Sequence, residues 1–212
     1  MEVCSEFIIN LYLIRHGMTK ANEEKRYIGR TDEPLSINGK AMLKRAEVPR
    51  DTIVFSGPMK RCMETSEKLF PNIRPYVIRQ WTEIDFGDFE MKNAAELSSD
   101  PYYQEWIDSG ARMEFPNGES KHAFRRRTME GFHECLSIIS YQTRDLPLGP
   151  GEPITAAAVL HGGNIMILMS ALVGRDYFEF MTEPGDGYKL SLTYRDGSYQ
   201  LNNYRRLGND IL

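Results

Sequence analysis

Two short apolar runs, each ending next to a histidine, constrain the fold of this chain more than any other feature. Residues 8–14 are rich in branched side chains and stop at Arg15 and His16, while residues 154–160 stop at His161. Nearly continuous apolar runs of this length are typical of strands buried on both faces of a parallel sheet. Open α/β sheets bind their ligands beyond the carboxyl ends of such strands. The two histidines are therefore expected to share one crevice.

Strand and helix signals alternate along the rest of the chain. Residues 52–55 predict a strand that passes through a turn into a helix, with Pro58 near the first helical position. A weaker strand is predicted within residues 75–84. Ser120 is a candidate N-cap for a helix that continues to residue 139.

The last third of the chain predicts an apolar helix and a hairpin. The helix covers residues 165–173, and two strand patterns, residues 188–194 and 198–202, flank the turn signal Asp196-Gly197. Strands that alternate with helices imply an α/β fold. Its sheet is expected to be mostly parallel, with an antiparallel hairpin at one edge.

Size and charge narrow the class of protein. With 212 residues and 41% apolar content, the chain can fill one core, so residues 1–212 are expected to form a single domain. A formal net charge of −4 provides no broad basic surface, so a nucleic acid is not expected as a partner. Anionic substrates are still allowed, because a few cations in a cleft create their own local field.

The cysteines and the apolar segments bear on cellular location. Cys4, Cys62 and Cys135 are odd in number and lack CxxC spacing, so neither a disulfide framework nor a zinc site is predicted. The N-terminal apolar run is interrupted by Asn10, which is not expected of a signal peptide. No stretch reaches the roughly 18 apolar residues of a membrane span. A cytoplasmic protein without membrane association is expected, and a homodimer is compatible with the sequence.

A phosphoryl group at the predicted crevice would need cations and an in-line nucleophile. Arginine suits the first task because its planar fork matches phosphate geometry, and Arg15 and Arg61 are the candidates. Taken singly, each residue has a simpler explanation: a histidine after a strand is often a cap, and Arg61 could be a solvated helix residue. Their occurrence together in one chain favours the functional explanation.

Four separate motifs carry a family resemblance. Residues 13–22 (LIRHGMTKAN) resemble the RHGxTxxN signature of the histidine phosphatase superfamily, also called phosphoglycerate mutase-like. Residues 56–65 (SGPMKRCMET) resemble its SxxxxRxxxT block, residues 83–87 (EIDFG) its acidic loop, and residues 161–163 (HGG) its second histidine. The similarity runs from about residue 8 to residue 192, and the motifs occur in the family's order.

The resemblance implies a role for each matching residue. His16 is the nucleophile that becomes transiently phosphorylated, and Glu83 is the general acid that later activates water. The phosphoryl group is bound by further residues of the motifs: Arg15, Arg61 and His161, with Thr19, Asn22 and Gly162 in support. The implied fold is a three-layer αβα sandwich, with residues of about 91–125 as a helical and loop excursion that covers the substrate. No metal and no cofactor are implied.

Physical chemistry adds conditions to these roles. An imidazole nucleophile must be neutral, so the other nitrogen of His16 should donate to a carbonyl or similar acceptor. Two arginines and a protonated His161 could hold a dianion firmly. The acid must be protonated at working pH. Asp85 and Asp88 are alternatives to Glu83, which ranks ahead because it matches the family position.

The expected activity is metal-independent hydrolysis of a small phosphorylated metabolite. Met18 and the EIDFG loop depart from the mutase pattern and favour hydrolysis, and the regions around residues 83–90 and 116–120 resemble the α-ribazole phosphatase-like branch. Met91 replaces a common glycine and could reshape the pocket wall. A mutase or sugar bisphosphatase, and a non-catalytic phosphate-binding module, remain alternatives. Tyr102, Tyr103 and Trp106 are expected in the core, and residues 125–127 on a solvated helix face, with a substrate collar as the second option.

Overall fold

A computed structural model describes residues 6–144 and 152–208. Their strands form one six-stranded sheet in the order β3-β2-β4-β1-β5-β6. The strands are β1 (Glu6–Arg15), β2 (Ile53–Ser56), β3 (Tyr76–Val77), β4 (Ile154–Leu160), β5 (Gly187–Arg195) and β6 (Ser198–Arg206). β1 to β4 are mutually parallel, and β5 pairs antiparallel with both β1 and β6. The predicted sheet, with its antiparallel hairpin at one edge, is confirmed.

Helices cover both faces of this sheet. They are α1 (Lys20–Glu23), α2 (Ile37–Met42), α3 (Lys60–Leu69), α4 (Pro101–Asp108), α5 (Lys121–Thr143) and α6 (Gly162–Val173). Leu11 and Leu13 of β1 pack on one face with residues of α5 and α6. Ile14 of β1 points to the other face and packs with Cys62 and Leu69 of α3. Alternate burial of both faces confirms the three-layer sandwich and explains why β1 reads as a continuous apolar run.

A separate aromatic cluster forms around the excursion that follows the acidic loop. Phe89, Tyr103 and Trp106 are buried there together with Phe115, and Tyr102 packs against them. Asp100 caps α4 by accepting from the backbone N–H of Tyr102 at 2.9 Å. The expectation that these aromatics are core residues is therefore met, although Trp106 also lines the cleft described below.

Some element boundaries differ from the sequence predictions. The weak strand within residues 75–84 is reduced to Tyr76–Val77, where it pairs with the end of β2. Pro58 lies before the N-cap of α3, which is Met59. α6 begins at Gly162 rather than at residue 165. Ser120 caps α5 as expected: its hydroxyl accepts from Ala123 N at 3.1 Å.

The hairpin turn has the conformation that its sequence predicts. Asp196 and Gly197 join β5 to β6 with φ values of 48° and 82°, the left-handed conformation that an Asp-Gly turn accommodates. Cys62 and Cys135 are buried free thiols, whereas Cys4 lies outside the described residues. Within residues 6–144 and 152–208, no helix has the length and apolar character to cross a membrane.

Candidate active site

The register of β1 and β4 brings the two predicted histidines together. Arg15 pairs with Leu160 at the ends of these parallel strands, so the residues that follow them, His16 and His161, are level with each other. Their ring centroids lie 5.1 Å apart at an interplanar angle of 69°. A cleft of about 600 Å³ opens at this edge of the sheet, and His16 lines its inner end.

His16 is held in one tautomer. Its Nδ1 lies 2.7 Å from the carbonyl oxygen of Gly17, so Nδ1 carries the proton and donates it. Burial, and then the positive charges of Arg61 and Arg15, lower the pKa of His16 well below the usual 6.5. The ring is therefore neutral at pH 7, with the lone pair on Nε2. This matches the requirement for an imidazole nucleophile.

Arg61 is fully buried and fixed on three sides. Its Nη1 and Nη2 each donate over 2.8 Å, to the carbonyl oxygens of Thr31 and Gly29. Its Nε donates to Nδ1 of His161 at 3.2 Å, which leaves the proton of His161 on Nε2. Burial and the charge of Arg61 lower the pKa of His161 well below 6.5. His161 is thus a neutral imidazole in this geometry, in contrast to the protonated form expected from sequence.

Arg15 and Glu83 line the cleft together with His16. One Nη of Arg15 donates to the carbonyl of Thr182, and its buried Nε has no acceptor among the described residues. Burial is the main cause that lowers the pKa of Arg15, with Glu83 opposing it. The Glu83 carboxylate accepts from Ile84 N at 2.9 Å and from Gly163 N at 3.1 Å. Five ionisable side chains from distant segments thus converge: Arg15, His16 and Glu83 line the cleft, and the fully buried Arg61 and His161 lie behind them.

The sequence model of the histidine phosphatase superfamily (branch 1) matches residues 11–205 of this chain. The chain belongs to that superfamily. The match spans all four motifs that carry the converging side chains, from β1 to the end of the sheet.

Similar proteins place this histidine phosphatase among phosphate-handling enzymes. An adenosylcobalamin/alpha-ribazole phosphatase of Salmonella typhimurium is 27% identical over 63% of this chain and 74% of its own length. A protein of Cronobacter sakazakii named probable phosphoglycerate mutase is 26% identical over 79% of this chain and 76% of its own length. The solved alpha-ribazole phosphatase of Shigella flexneri superimposes with a TM-score of 0.71 at 23% identity, covering 92% of this chain and 95% of that one, which shows the shared fold. These findings support a phosphatase.

The supporting residues of the phosphatase occupy two kinds of position. Asn22 and Gly162 line the cleft. Thr19 is fully buried and caps α1: its hydroxyl accepts from Asn22 N, and its own N–H donates to Asn22 Oδ1, both at 3.2 Å. Thr19 therefore holds Asn22 at the cleft rather than lining it. Thr65 of the second motif accepts from Gly17 N at 2.9 Å and fixes the loop after His16.

The two alternative acids point away from the cleft. Asp85 accepts from Gly87 N at 3.0 Å and pairs with Arg30 Nε at 3.0 Å. Asp88 accepts from Asn117 Nδ2 at 2.9 Å. Neither lines the cleft, whereas Glu83 does. The arrangement favours Glu83 as the acid.

Met91 does not form a cleft wall. It is 36% exposed, and its backbone φ is 60°. Its N–H donates to the Tyr27 carbonyl at 2.8 Å, and its carbonyl accepts from Arg26. The Met91 side chain is therefore not part of the cleft wall, although its backbone contacts Arg26 and Tyr27, which are. Glycine suits this position because of its left-handed backbone.

Arg127 holds the loop that carries Glu83, a role that the sequence did not reveal. Its guanidinium donates to the carbonyl oxygens of Gln80 (2.6 Å), Thr82 (2.7 Å) and Glu83 (2.8 Å). The Glu119 carboxylate accepts from Nε and Nη2 in a bidentate pair, each at 2.7 Å. The predicted solvated face of residues 125–127 is therefore wrong for Arg127. Arg126 conforms to it, with an exposed pair to Glu130 at 3.9 Å.

Two further polar side chains, the half-buried Glu90 and the fully buried Asn164, position the site. Glu90 accepts from the N–H groups of Gly29 and Thr31 at 3.0 and 2.9 Å, and so fixes the loop whose carbonyls hold Arg61. Asn164 donates to Thr82 O at 3.2 Å, which ties α6 to the Glu83 loop. Both residues stand near motif residues in sequence, and only the fold shows what they contact.

Proposed function

We propose that this phosphatase hydrolyses a small phosphorylated metabolite through a phosphohistidine on His16, without a metal ion. The buried, neutral His16 supports this most strongly, because its Nδ1 is committed to Gly17 O at 2.7 Å and its Nε2 is available as a nucleophile. Arg15 and Arg61 flank it, so charge on the phosphoryl oxygens would be balanced where the bond changes occur.

In the first half-reaction the Nε2 lone pair of His16 attacks phosphorus, and the ester P–O bond breaks. Glu83 gives its proton to the departing oxygen, which leaves as an alcohol. Arg15 Nε, a buried donor with no acceptor among the described residues, would gain one in a phosphoryl oxygen. His161 acts through Arg61: its Nδ1 accepts from Arg61 Nε at 3.2 Å, and its Nε2 lies 3.5 Å from Cys62 Sγ.

In the second half-reaction water attacks the phosphohistidine on the face opposite Nε2. The Glu83 carboxylate accepts a proton from that water, the P–N bond breaks, and inorganic phosphate is released. His16 recovers its neutral form and Glu83 its proton, so the cycle closes without a co-reactant. The Gly163 N–H keeps the carboxylate on the cleft side throughout.

The central experiment measures p-nitrophenyl phosphate hydrolysis in EDTA for the wild type and for His16→Ala. We expect His16→Ala to lose activity by at least about 10³-fold. Mass spectrometry of samples kept free of acid should detect no phosphorylated His16→Ala protein. His133→Ala, which changes an exposed histidine of α5, is the matched control and should keep wild-type activity. Full activity in His16→Ala would refute the proposal.

The leaving group tests the role of Glu83 separately. Nitrophenolate departs without a proton, whereas an alkoxide needs one, so Glu83→Gln should slow an alkyl phosphate far more than p-nitrophenyl phosphate. Equal losses on both substrates would contradict general-acid catalysis by Glu83.

A panel of phosphorylated metabolites separates hydrolysis from the mutase and binding-module alternatives. It includes α-ribazole 5'-phosphate and 3-phosphoglycerate because the similar proteins carry names of both kinds. Isomerisation of 3-phosphoglycerate without phosphate release would indicate a mutase. Tight phosphate binding with no turnover on any substrate would indicate a binding module.

A further inference from the structure

The cleft extends well beyond the histidine pair and has apolar walls. Between the phosphoryl end and solvent it is lined by aromatic rings: Tyr27, Phe86, Trp106, Phe115, Phe124 and Tyr177. A volume of about 600 Å³ lies in the range of sites that enclose a whole small ligand. The phosphoryl group would occupy only the inner end, so the walls are available to the body of the substrate.

Besides Arg15 and Arg26, three cations line this same cleft: Arg112, Lys121 and Arg125. We call them the rim cations. Among the described residues, no carboxylate lies within ion-pair distance of any of them. Lys121 donates to the carbonyl of Ala111 and is partly buried. Arg26, a further cation of the lining, differs from them because Glu96 pairs with it at 2.6 Å.

The two arginines that follow Arg125 on α5 differ from it in their acidic partners. Arg126 and Arg127 follow Arg125 directly on α5, and each has a carboxylate partner, at 3.9 and 2.7 Å. Arg125 alone of the three lines the cleft. The acidic side chains of this region are therefore used on the other faces of α5.

The placement of the rim cations opposes local stability. Lys121 is the first residue of α5, where the helix dipole disfavours positive charge. Lys121 and Arg125 stand at i and i+4, so their side chains share a helix face and repel each other. Arg112, on the preceding loop, adds a third charge close enough to lower the pKa of Lys121, after burial. A bound anion would relieve all three costs.

We propose that the rim cations form a second anion subsite, which selects phosphomonoesters that carry another anionic group at the far end of an apolar or aromatic body. The inference rests on the proposed function, because the phosphoryl group must occupy the His16 end of the same cleft. Asp176, the acid of the lining other than Glu83, accepts from Phe178 N at 2.9 Å and is engaged in its own turn.

The test uses two substrates that differ only in charge. One is 3-(4-phosphonooxyphenyl)propanoate, and the other is its carboxamide; a second pair with a longer alkyl chain covers a different reach. We expect kcat/KM to be about tenfold higher for the carboxylate, since each exposed cation contributes roughly two- to fivefold. The preference should shrink as ionic strength rises from about 0.05 to 0.5 M, because exposed charges are screened.

Variants assign the preference to the rim cations. Arg112→Gln and Arg125→Gln should each lower the carboxylate-to-carboxamide ratio by at least about twofold, and the double variant should leave only the share of Lys121, a ratio of about two. Arg126→Gln, next along α5 and outside the cleft, is the matched control and should keep the wild-type ratio.

Failure of this inference is distinguishable from failure of the proposed function. Hydrolysis of both substrates that depends on His16, with a ratio near one in the wild type at both chain lengths, would overturn the anion subsite alone. An unchanged ratio in the double variant would also overturn it. No hydrolysis of either substrate, while p-nitrophenyl phosphate is hydrolysed through His16, would also overturn the anion subsite. Hydrolysis that survives His16→Ala would overturn the proposed function instead.

Discussion

Replacing Gly163 by alanine should uncouple the activity of this phosphatase from its stability. A Cβ at Gly163 would lie 2.2 Å from Glu83 Oε1 and 3.0 Å from two ring carbons of Phe124. The carboxylate is the far end of a flexible side chain, so it can move away by about 1 Å to reach van der Waals contact. A displacement of that size in a reacting group costs on the order of 10²-fold in rate, or about 2.7 kcal/mol of activation free energy.

Stability should respond differently from activity. Alanine is the better helix former by up to about 1 kcal/mol, which offsets the small adjustment required of Phe124. We therefore expect Gly163→Ala to unfold at or above the wild-type temperature while kcat on an alkyl phosphate falls about 100-fold. Gly162→Ala is the comparison: its Cβ would lie 3.3 Å from Arg15 Nε, which requires only a few tenths of an ångström, so its loss should be much smaller.

A double-mutant cycle tests whether the effect of Gly163→Ala passes through Glu83. Glutamine has the same shape as glutamate, so the Glu83→Gln side chain would still meet the Cβ of Gly163→Ala. It cannot, however, give a proton to the leaving oxygen. In that background Gly163→Ala should cost little more activity. Additive losses in the cycle, or kcat within about threefold of wild type for Gly163→Ala alone, would refute the reasoning.

Three further predictions concern positioning, pH and backbone strain. Arg127→Lys loses the fork that binds three carbonyls of the Glu83 loop, so kcat should fall about tenfold or more with KM little changed; a change in KM alone would contradict this. His16 and His161 have pKa values well below the usual 6.5, so they stay neutral in the folded state while the unfolded chain is protonated. Stability should therefore decrease below pH 6.5 by about 1.4 kcal/mol per pH unit for each, as measured by urea unfolding, and His16→Asn should halve that slope. Residue 91 has a left-handed backbone, with φ 60°, which disfavours any residue with a Cβ. The Met91→Gly variant should therefore be about 1 kcal/mol more stable than Met91→Ala, and equal denaturation midpoints would argue against strain at this residue.

The local patterns of the sequence determined the sheet and the centre of the site. β1 and β4 are buried on both faces, so their apolar runs are unmistakable, and their parallel register places His16 beside His161. The turn at Asp196-Gly197 and the cap at Ser120 depend only on neighbouring residues, so they too were predictable. The weak strand within residues 75–84 shortened to two residues because most of that segment packs without a strand partner.

Tertiary structure decided which residues support the site and which shape its opening. Arg61 and His161 are 100 positions apart, and Arg127 holds a loop more than 40 positions earlier in the chain. A run of three arginines carries no signal that one will bind a loop, one will face solvent and one will line a cleft. Those outcomes depend on which face of α5 packs against the sheet, and long-range packing sets that face. The sequence therefore determined the chemistry at the strand ends, and the packing of α5 determined what surrounds it.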